Sequence, residues 1–167
     1  ILKGGTGDDH LLGGTGIDTA DFSDANDKIN VDLSSTGLVD IGAGLGKDTF
    51  NSIEGVIGGN YDDTLKGNSE NNIINGEGGH DIIYGIAGEN TVIAGTGNDT
   101  IYTATVKTGA NRGDIVLGGQ GTDTIVSSFN KDLILGGEFV PNGGSTIYED
   151  LVGDWIDYSS LLSANTY

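Results

Sequence analysis

The sequence predicts an all-β solenoid in which short parallel strands stack in coils, and three observations lead to this fold class. From Gly58 onward the chain divides into nine-residue units with Asp or Asn at position 6 and Leu, Ile or Val at position 8. The first four positions are rich in glycine, of which the chain has 31, against one proline. Self-similarity at a fixed period is the sequence signature of solenoids. We expect two nonapeptides to build one coil, so that successive units alternate between two sides.

Length and charge bound the possible partners. A chain of 167 residues suits one domain, covering 1–167. Its net charge of −18, with 7 Lys and Arg, argues against nucleic acid and anionic membranes as partners. No apolar run could span a membrane, and without cysteine there are no disulfides or zinc thiolate sites. So much negative charge opposes a compact state unless cations neutralise it, which leaves halophilic solvation or bound metal.

The chain opens with two regular nonapeptides in residues 1–21. They are GGTGDDHLL at 4–12 and GGTGIDTAD at 13–21. Each has a glycine-rich turn, a carboxylate and a three-residue strand whose middle residue points inward. Because residues 1–3 begin in the middle of a repeat, we expect the sequence to be a piece of a longer polypeptide.

Residues 22–57 lack the glycine motif but have the length of four nonapeptides. KINVDL at 28–33 and DTFNSIEGVI at 48–57 resemble strands, and GAGLG at 42–46 resembles a turn. We interpret the segment as two irregular coils of the same solenoid. The alternative is a surface excursion with its own hairpin.

The main array covers 58–135, with a six-residue insertion, TATVKT, at 103–108. Sorting its units by side gives two columns of turns. The first column holds GGNYDD, GEGGHD, AGTGND and GGQGTD, starting at 58, 76, 94 and 118; the second holds GNSENN, GIAGEN, GANRGD and SSFNKD, starting at 67, 85, 109 and 127. The first keeps Asp at position 6 throughout, whereas the second has lost glycines and has Asn twice.

After Leu135 the spacing of nine fails, and 136–167 is predicted to be a divergent C-terminal cap, because the open end of a solenoid exposes its core. Pro141 suits an edge or a loop. Trp155, Ile156, Leu161 and Leu162 are expected to pack in the cap rather than bind a ligand.

The turns have the chemistry of a calcium site. Ca²⁺ takes 6–8 oxygen ligands from carboxylates and carbonyls, and stacked turns lie about one strand spacing apart. We therefore predict a column of ions along Asp63, Asp81, Asp99 and Asp123. Asn offers only a neutral oxygen, so sites at Asn72 and Asn90 should be weak or empty.

These repeats resemble the RTX nonapeptide GGxGxDxUx of calcium-binding parallel β-rolls. The resemblance covers about residues 1–135, and DTFNSIEGVIGGNYDDTLKG at 48–67 is similar to the connector that precedes repeats in many such proteins. It implies a right-handed β-roll that is secreted unfolded by a type I system and folds in extracellular calcium.

The family pattern places carbonyls of positions 2 and 4 on one side of an ion and those of positions 1 and 3 on the other. Three ions are implied: Gly59, Tyr61 and Asp63 with Gly76, Gly78 and Asp81; Glu77, Gly79 and Asp81 with Ala94, Thr96 and Asp99; Gly95, Gly97 and Asp99 with Gly118, Gln120 and Asp123. Tyr61 departs from the family's glycine, and the insertion falls beside the third ion. Near the N-terminus Asp9 and Asp18 lie on opposite sides as further candidates, with Asp27 and Asp48 as possible partners by register.

Taken together, the sequence predicts a calcium-dependent folding module, bound to several Ca²⁺ ions, from a secreted or cell-surface adhesin or toxin. It is not expected to be an enzyme, since GxSxG and HExxH are absent and His10 and His80 are isolated. Alternatives are an accessory module of a secreted protease, lipase or polysaccharide-modifying enzyme, or a surface that recognises a polysaccharide or cell-surface ligand. Thr96-Gly97-Asn98-Asp99 resembles turns of ice-binding RTX repeats, but its Thr and Asn do not recur along the column.

Overall fold

The structure is a computed structural model that describes residues 1–103, 113–127 and 132–135, together with the backbone of 146–148 and 155–157. None of the described residues forms a helix long and apolar enough to cross a membrane. The strands in chain order are β1 His10–Leu12, β2 Thr19–Asp21, β3 Asn30–Asp32, β4 Val39–Asp40, β5 Lys47–Asn51, β6 Gly55–Ile57, β7 Thr64–Lys66, β8 Ile73–Asn75, β9 Ile82–Tyr84, β10 Thr91–Thr96, β11 Thr100–Tyr102, β12 Ile115–Gln120, β13 Thr124–Val126, β14 Leu133–Leu135, β15 Thr146–Tyr148 and β16 Trp155–Asp157.

Two parallel sheets form the body of the molecule. The seven-stranded sheet has the order β16-β14-β12-β10-β8-β6-β2, and the six-stranded sheet has the order β15-β13-β11-β9-β7-β3. In the main array, paired residues are 18 positions apart, as Leu65 and Ile83 are. Consecutive strands therefore alternate between the sheets, with two nonapeptides per coil. This confirms the predicted parallel β-roll.

Two files of apolar side chains, one on each sheet, fill the space between the sheets of the main array. They comprise the position-8 residues, all of them fully buried: Leu65, Ile83, Ile101 and Ile125 on the six-stranded sheet, and Ile74, Val92, Val116 and Ile134 on the seven-stranded sheet. A three-residue strand turns only its middle side chain inward, and β-branched side chains suit such a strand. Burial of each contributes about 1.5–3 kcal/mol relative to exposure. These two files align the turns on either side of them.

The predicted insertion at 103–108 changes the spacing without breaking the sheets. Val116 pairs with Val92, and Ile125 pairs with Ile101, each pair 24 residues apart. The added residues lie between β11 and β12, where 104–112 are outside the described residues.

The interpretation of 22–57 as two coils is wrong. On the seven-stranded side β6 pairs directly with β2, so that Val56 lies opposite Ala20 although 36 residues separate them. The segment therefore adds only β6 to that sheet, whereas two coils would add one more strand between β2 and β6.

The remainder of this segment reverses direction. After β3 the chain turns, with the Ser35 N–H donating to the Asp32 carbonyl, and β4 runs antiparallel to β5. β3 joins the six-stranded sheet beside β7, whereas β5 pairs in parallel with β1. The physical cause is this reversal, which sends the chain back toward the first repeat. The hairpin that the sequence left as an alternative is present.

Strand pairing continues beyond the point where the spacing of nine fails. β15 pairs with β13 and β16 pairs with β14, both in parallel. The expected cap thus includes strands that extend both sheets. Trp155 and Ile156 lie on β16, but their side chains, like Pro141, Leu161 and Leu162, are outside the described residues. Their role in capping stays a prediction.

Candidate metal-binding turns

Glycine at position 4 lets consecutive turns stack in direct backbone contact. Gly79, Gly97 and Gly121 have φ angles of 113°, 135° and 129°, in the left-handed region that favours glycine. A Cβ on Gly97 would lie 1.7 Å from the Gly79 carbonyl oxygen, and one on Gly121 would lie 1.7 Å from that of Gly97. Because these positions have no side chain, carbonyl oxygens of one turn can reach the next.

The four first-column aspartates form one hydrogen-bond ladder. Asp81 Oδ1 accepts from the Asp63 N–H at 2.8 Å, and Asp99 Oδ1 accepts from the Asp81 N–H at 2.8 Å. Asp123 Oδ1 then accepts from the Asp99 N–H at 3.0 Å, so the insertion does not interrupt the ladder. All four residues are buried. The structure therefore stacks the predicted aspartates and fixes each carboxylate between two coils.

The second carboxylate oxygens differ along this column. Asp63 Oδ2 accepts from the Gly59 N–H at 2.7 Å, whereas Asp81 Oδ2 and Asp99 Oδ2 are buried without a hydrogen-bond partner. Asp81 Oδ2 and the Ala94 carbonyl oxygen would lie 2.3 and 2.4 Å from a Cβ on Gly76. Two acceptor oxygens thus face one small space that offers no donor. Such a pair is unfavourable unless a proton or a cation enters.

Burial disfavours the charged forms of these carboxylates. It raises the pKa of Asp81 to about 8 and the pKa of Asp99 to about 6. Neighbouring negative charges act in the same direction, those of Asp99 and Asp63 on Asp81 and that of Asp123 on Asp99. Burial also raises the pKa of Asp63. A nearby cation would therefore stabilise the ionised forms of these carboxylates, which burial disfavours.

The ligands that these turns can offer suit a hard cation such as Ca²⁺. They are carboxylate and carbonyl oxygens, the ligand types that Ca²⁺ takes in sets of 6–8. The described residues contain no group of three or more His, Cys, Asp or Glu side chains that could hold a metal. An ion here would therefore depend largely on backbone carbonyls, and the unpartnered Asp81 Oδ2 beside the Ala94 carbonyl fits that requirement.

Consecutive turns bring the predicted carbonyl ligands together, and some of these carbonyls already accept hydrogen bonds. The Gly59 carbonyl accepts from the Gly78 N–H at 3.0 Å, and the Glu77 carbonyl accepts from the Thr96 N–H at 3.0 Å. The Gly76 carbonyl lies beside Asp63 Oδ2, since both are 2.8 Å from the position of a Gly58 Cβ. A carbonyl oxygen has two lone pairs, so the bonded carbonyls keep one for a further ligand.

The turns at 94 and 118 are paired like strands. Gly95 lies opposite Gly119, and Thr96 lies opposite Gln120. The Gly97 N–H donates to the Gln120 carbonyl at 2.7 Å, which engages one predicted ligand. Gly118 is buried at the start of this turn.

The second column makes the same ladder with amides in place of carboxylates. Asn90 Oδ1 accepts from the Asn72 N–H at 2.9 Å, and Asp114 Oδ1 accepts from the Asn90 N–H at 2.7 Å. Asn72 Nδ2 donates to the Glu54 carbonyl at 3.1 Å, and Asn90 Nδ2 donates to the Gly85 carbonyl at 3.3 Å. The amide thus donates its own proton where a carboxylate would leave an acceptor unpaired. Weak or empty sites at Asn72 and Asn90 stay a prediction.

At the N-terminal end, one of the two partners suggested by register is correct. Asp48 Oδ1 accepts from the Asp9 N–H at 3.0 Å, so these residues stack. Asp27 is exposed and accepts from the Lys28 N–H instead, because the turn after β2 is longer than a repeat turn. The N–H of Asp18 donates to Glu54, at 3.0 Å from Oε2, a partner that the sequence interpretation missed.

The sequence interpretation also missed a nonapeptide. AGLGKDTFN at 43–51 has glycine at positions 2 and 4 and Asp48 at position 6, and its strand pairs with that of GGTGDDHLL. A count in steps of nine from either flanking array does not find this nonapeptide, because it is out of frame with both. The signal that could have found it is the pattern GxGxD itself, sought without a fixed register.

Position 5 carries a second ladder, which accounts for one histidine. The His80 N–H donates to Asp62 Oδ1 at 2.7 Å, and His80 Nδ1 accepts from the Asn98 N–H at 2.7 Å. Asn98 Oδ1 accepts in turn from the Thr122 N–H at 2.8 Å. His10 lies on β1, where its Nδ1 is 2.5 Å from Thr49 Oγ1. Both histidines thus contact neighbouring coils.

Comparison with known families agrees with this geometry. The model of the RTX calcium-binding nonapeptide repeat matches four copies, at residues 1–30, 57–91, 84–104 and 108–139. Together they cover more than half of the chain and leave out the nonapeptide at 43–51. No curated protein matches the chain.

Proposed function

Because the chain belongs to the RTX calcium-binding nonapeptide repeat family, we propose that it is a β-roll module that binds Ca²⁺ mainly along the first column and depends on those ions for its stability. The observation that carries the proposal is the pair of buried, unpartnered oxygens, Asp81 Oδ2 and Asp99 Oδ2. An unsatisfied buried charged group costs more than the roughly 1–3 kcal/mol of a neutral one. Bound Ca²⁺ supplies the positive charge that these oxygens lack.

In this proposal two ions lie between the first three turns of the column. The ligands of the first would be Gly59, Tyr61, Asp63, Gly76, Gly78 and Asp81; those of the second would be Glu77, Gly79, Asp81, Ala94, Thr96 and Asp99. A third ion would use Gly95, Gly97, Asp99, Gly118, Gln120 and Asp123, where turn-to-turn hydrogen bonds are densest. The Asp81 carboxylate would be shared, since Oδ1 is held by the coil before it and Oδ2 faces the coil after it.

Without bound metal, charge repulsion and a small apolar core disfavour the folded state. The net charge of the chain is −18, and buried aspartates lie in the turns that must stack. The apolar core of the main array is narrow, because each short strand contributes its position-8 side chain to it. An ion that binds only the folded state stabilises it by mass action, by about 2.7 kcal/mol per site at one hundred times the dissociation constant. Several shared sites would add to a calcium-triggered folding transition.

Circular dichroism of the chain in EGTA and in millimolar CaCl₂ tests the proposal. We expect strand signal in calcium and its loss in EGTA. Mg²⁺ at the same concentration is the matched control, because it demands a smaller octahedral site and dehydrates reluctantly. A strand spectrum unchanged by the chelator would contradict the proposal.

We further propose that the module belongs to a secreted or cell-surface adhesin or toxin and is exported before it folds. Proteins with RTX repeats are typically secreted, and a chain that needs millimolar calcium to fold would stay extended where calcium is scarce. The module itself is proposed to be non-catalytic, with any enzyme or polysaccharide-binding activity carried by other parts of its protein. Expression with a type I secretion apparatus, with calcium varied outside the cell, would test export.

A further inference from the structure

The strongest unassigned feature lies where the hairpin of 22–57 returns to the first repeat. Here the turn at 4–9 stacks on the out-of-frame turn at 43–48. The two segments are 39 residues apart in sequence, and the RTX model matches the first but not the second.

The backbone contacts between these turns repeat those between 76–81 and 94–99. The Gly7 N–H donates to the Leu45 carbonyl at 2.8 Å, as the Gly79 N–H does to Thr96. The Thr49 N–H donates to the Asp9 carbonyl at 2.9 Å, as the Thr100 N–H does to Asp81. The out-of-frame turn therefore stacks as a β-roll turn, although it stands inside a hairpin.

The same correspondence holds for the close approach of the backbones. A Cβ on Gly46 would lie 2.2 Å from the Gly7 carbonyl oxygen. Gly44 and Gly46 have φ angles of 73° and 101°, in the left-handed region. A repeat-type turn thus explains why glycine occupies both positions.

The carboxylates complete the correspondence. Asp9 donates its N–H to Asp48 Oδ1 at 3.0 Å, and the Oδ2 atoms of both residues are buried without a partner. Asp48 has no exposed surface. Both oxygens face Gly4, since a Cβ there would lie 2.9 Å from Asp9 Oδ2 and 3.3 Å from Asp48 Oδ2. Two carboxylate oxygens directed at one space without a donor require a cation or a proton between them.

We infer that Asp9 and Asp48 form a further site for a hard divalent cation, and that this cation holds the hairpin against the first repeat. The inference rests on the proposed calcium function and adds a site formed by non-consecutive turns. The Lys47 N–H, bound to Asp8 Oδ1 at 2.9 Å, and the carbonyls around Leu45 hold the two turns in register. Loss of the ion would release β5 from β1 while the main array keeps its ions.

The test is hydrogen exchange of the full chain with CaCl₂ or EGTA, read by mass spectrometry, with bound calcium counted by equilibrium dialysis. We expect calcium to protect peptides from 4–12 and 43–51. Asp48→Asn should abolish this difference in protection between CaCl₂ and EGTA and lose one bound ion per chain, while peptides from 64–102 keep their calcium-dependent protection. Asp40→Asn, an exposed carboxylate of the same hairpin, removes the same charge and should change neither readout.

A second variant, Asp9→Asn, shows whether the effect of Asp48→Asn comes from misfolding of that variant alone. Because one ion is shared, Asp9→Asn, Asp48→Asn and the double variant should each lose the same single ion. Unchanged stoichiometry in Asp48→Asn, or loss of two ions in the double variant, would overturn the inference. If calcium fails to protect 64–102 in the unmodified chain, the proposed function fails instead, so the two failures are distinguishable.

Discussion

At position 6, the two columns of the roll hold their side chains by the same backbone hydrogen bond but complete them differently. Asn72 and Asn90 use Nδ2 to donate to nearby carbonyls, whereas Asp81 and Asp99 leave Oδ2 without a partner. A turn with the amide Nδ2 therefore satisfies this atom by a hydrogen bond within the protein, whereas a turn with the carboxylate Oδ2 needs a cation or a proton. The comparison teaches that stacking and ion binding are separate properties of these turns, and each can be changed alone.

The largest expected loss of stability comes from breaking the stacking while every carboxylate stays in place. In Gly97→Ala, a left-handed φ of 135° and a Cβ 1.7 Å from the Gly79 carbonyl oxygen should cost about 2–4 kcal/mol of unfolding free energy in calcium. Gly88→Ala in the second column meets the Glu70 carbonyl at 2.3 Å and should cost a similar amount. Urea unfolding in calcium measures both.

Gly59→Ala is the matched control, since its Cβ would meet no atom closer than 3.6 Å. It should change the stability by less than about 0.5 kcal/mol. If Gly59→Ala lowers the unfolding free energy as much as Gly97→Ala does, the close contact between turns is not the reason for glycine at position 4.

The next effect converts the first column into the second. In the double variant Asp81→Asn with Asp99→Asn, each amide can donate where Oδ2 had no partner, so the metal-free roll should gain about 1–3 kcal/mol per site. Its response to calcium should fall, because the neutral amides bind the ion weakly. Strand signal in EGTA and calcium titration by calorimetry give the two quantities. The double variant Asp62→Asn with Asp40→Asn, at two exposed positions, controls for the loss of two carboxylates; an equal effect there would contradict the prediction.

Acidification should substitute in part for calcium. Because burial raises the pKa of Asp81 to about 8 and that of Asp99 to about 6, above an unfolded value near 3.8, the folded state binds more protons between these limits. In EGTA the stability should therefore be highest below about pH 4 and fall as pH rises through 6 and 8. Calcium affinity should change in the opposite sense, since protons compete for the same oxygens.

The double Asn variant separates this effect from the general relief of negative charge. It should flatten the pH dependence between pH 5 and 8 in EGTA, as followed by circular dichroism. A slope unchanged from that of the natural sequence would assign the dependence to the net charge of −18 instead.

The two columns are also the part of the structure that the sequence predicts best. The repeat of nine places Leu65, Ile83 and their equivalents inward and stacks the aspartates, because every short strand turns its middle side chain into the core. It did not reveal that β2 pairs directly with β6, since equal length is compatible with either coils or a hairpin. Nor did it reveal the partner of Asp18, because Glu54 reaches the same place with a longer side chain from an irregular turn.

The smallest expected effect concerns a backbone feature that both columns share. Glu77 and Ile86 occupy position 2 with φ angles of 70° and 68°, where a side chain costs about 1–2 kcal/mol. Glycine there relieves that cost but gives freedom to the unfolded chain, so Glu77→Gly and Ile86→Gly should each stabilise the roll by about 0.5–1 kcal/mol. Thermal unfolding in calcium measures the gain. Equal gains would place the strain in the turn conformation common to both columns. A gain in Ile86→Gly alone would mean that Glu77, whose Oε1 accepts from Asn75 Nδ2 at 2.6 Å, offsets its strain through that bond.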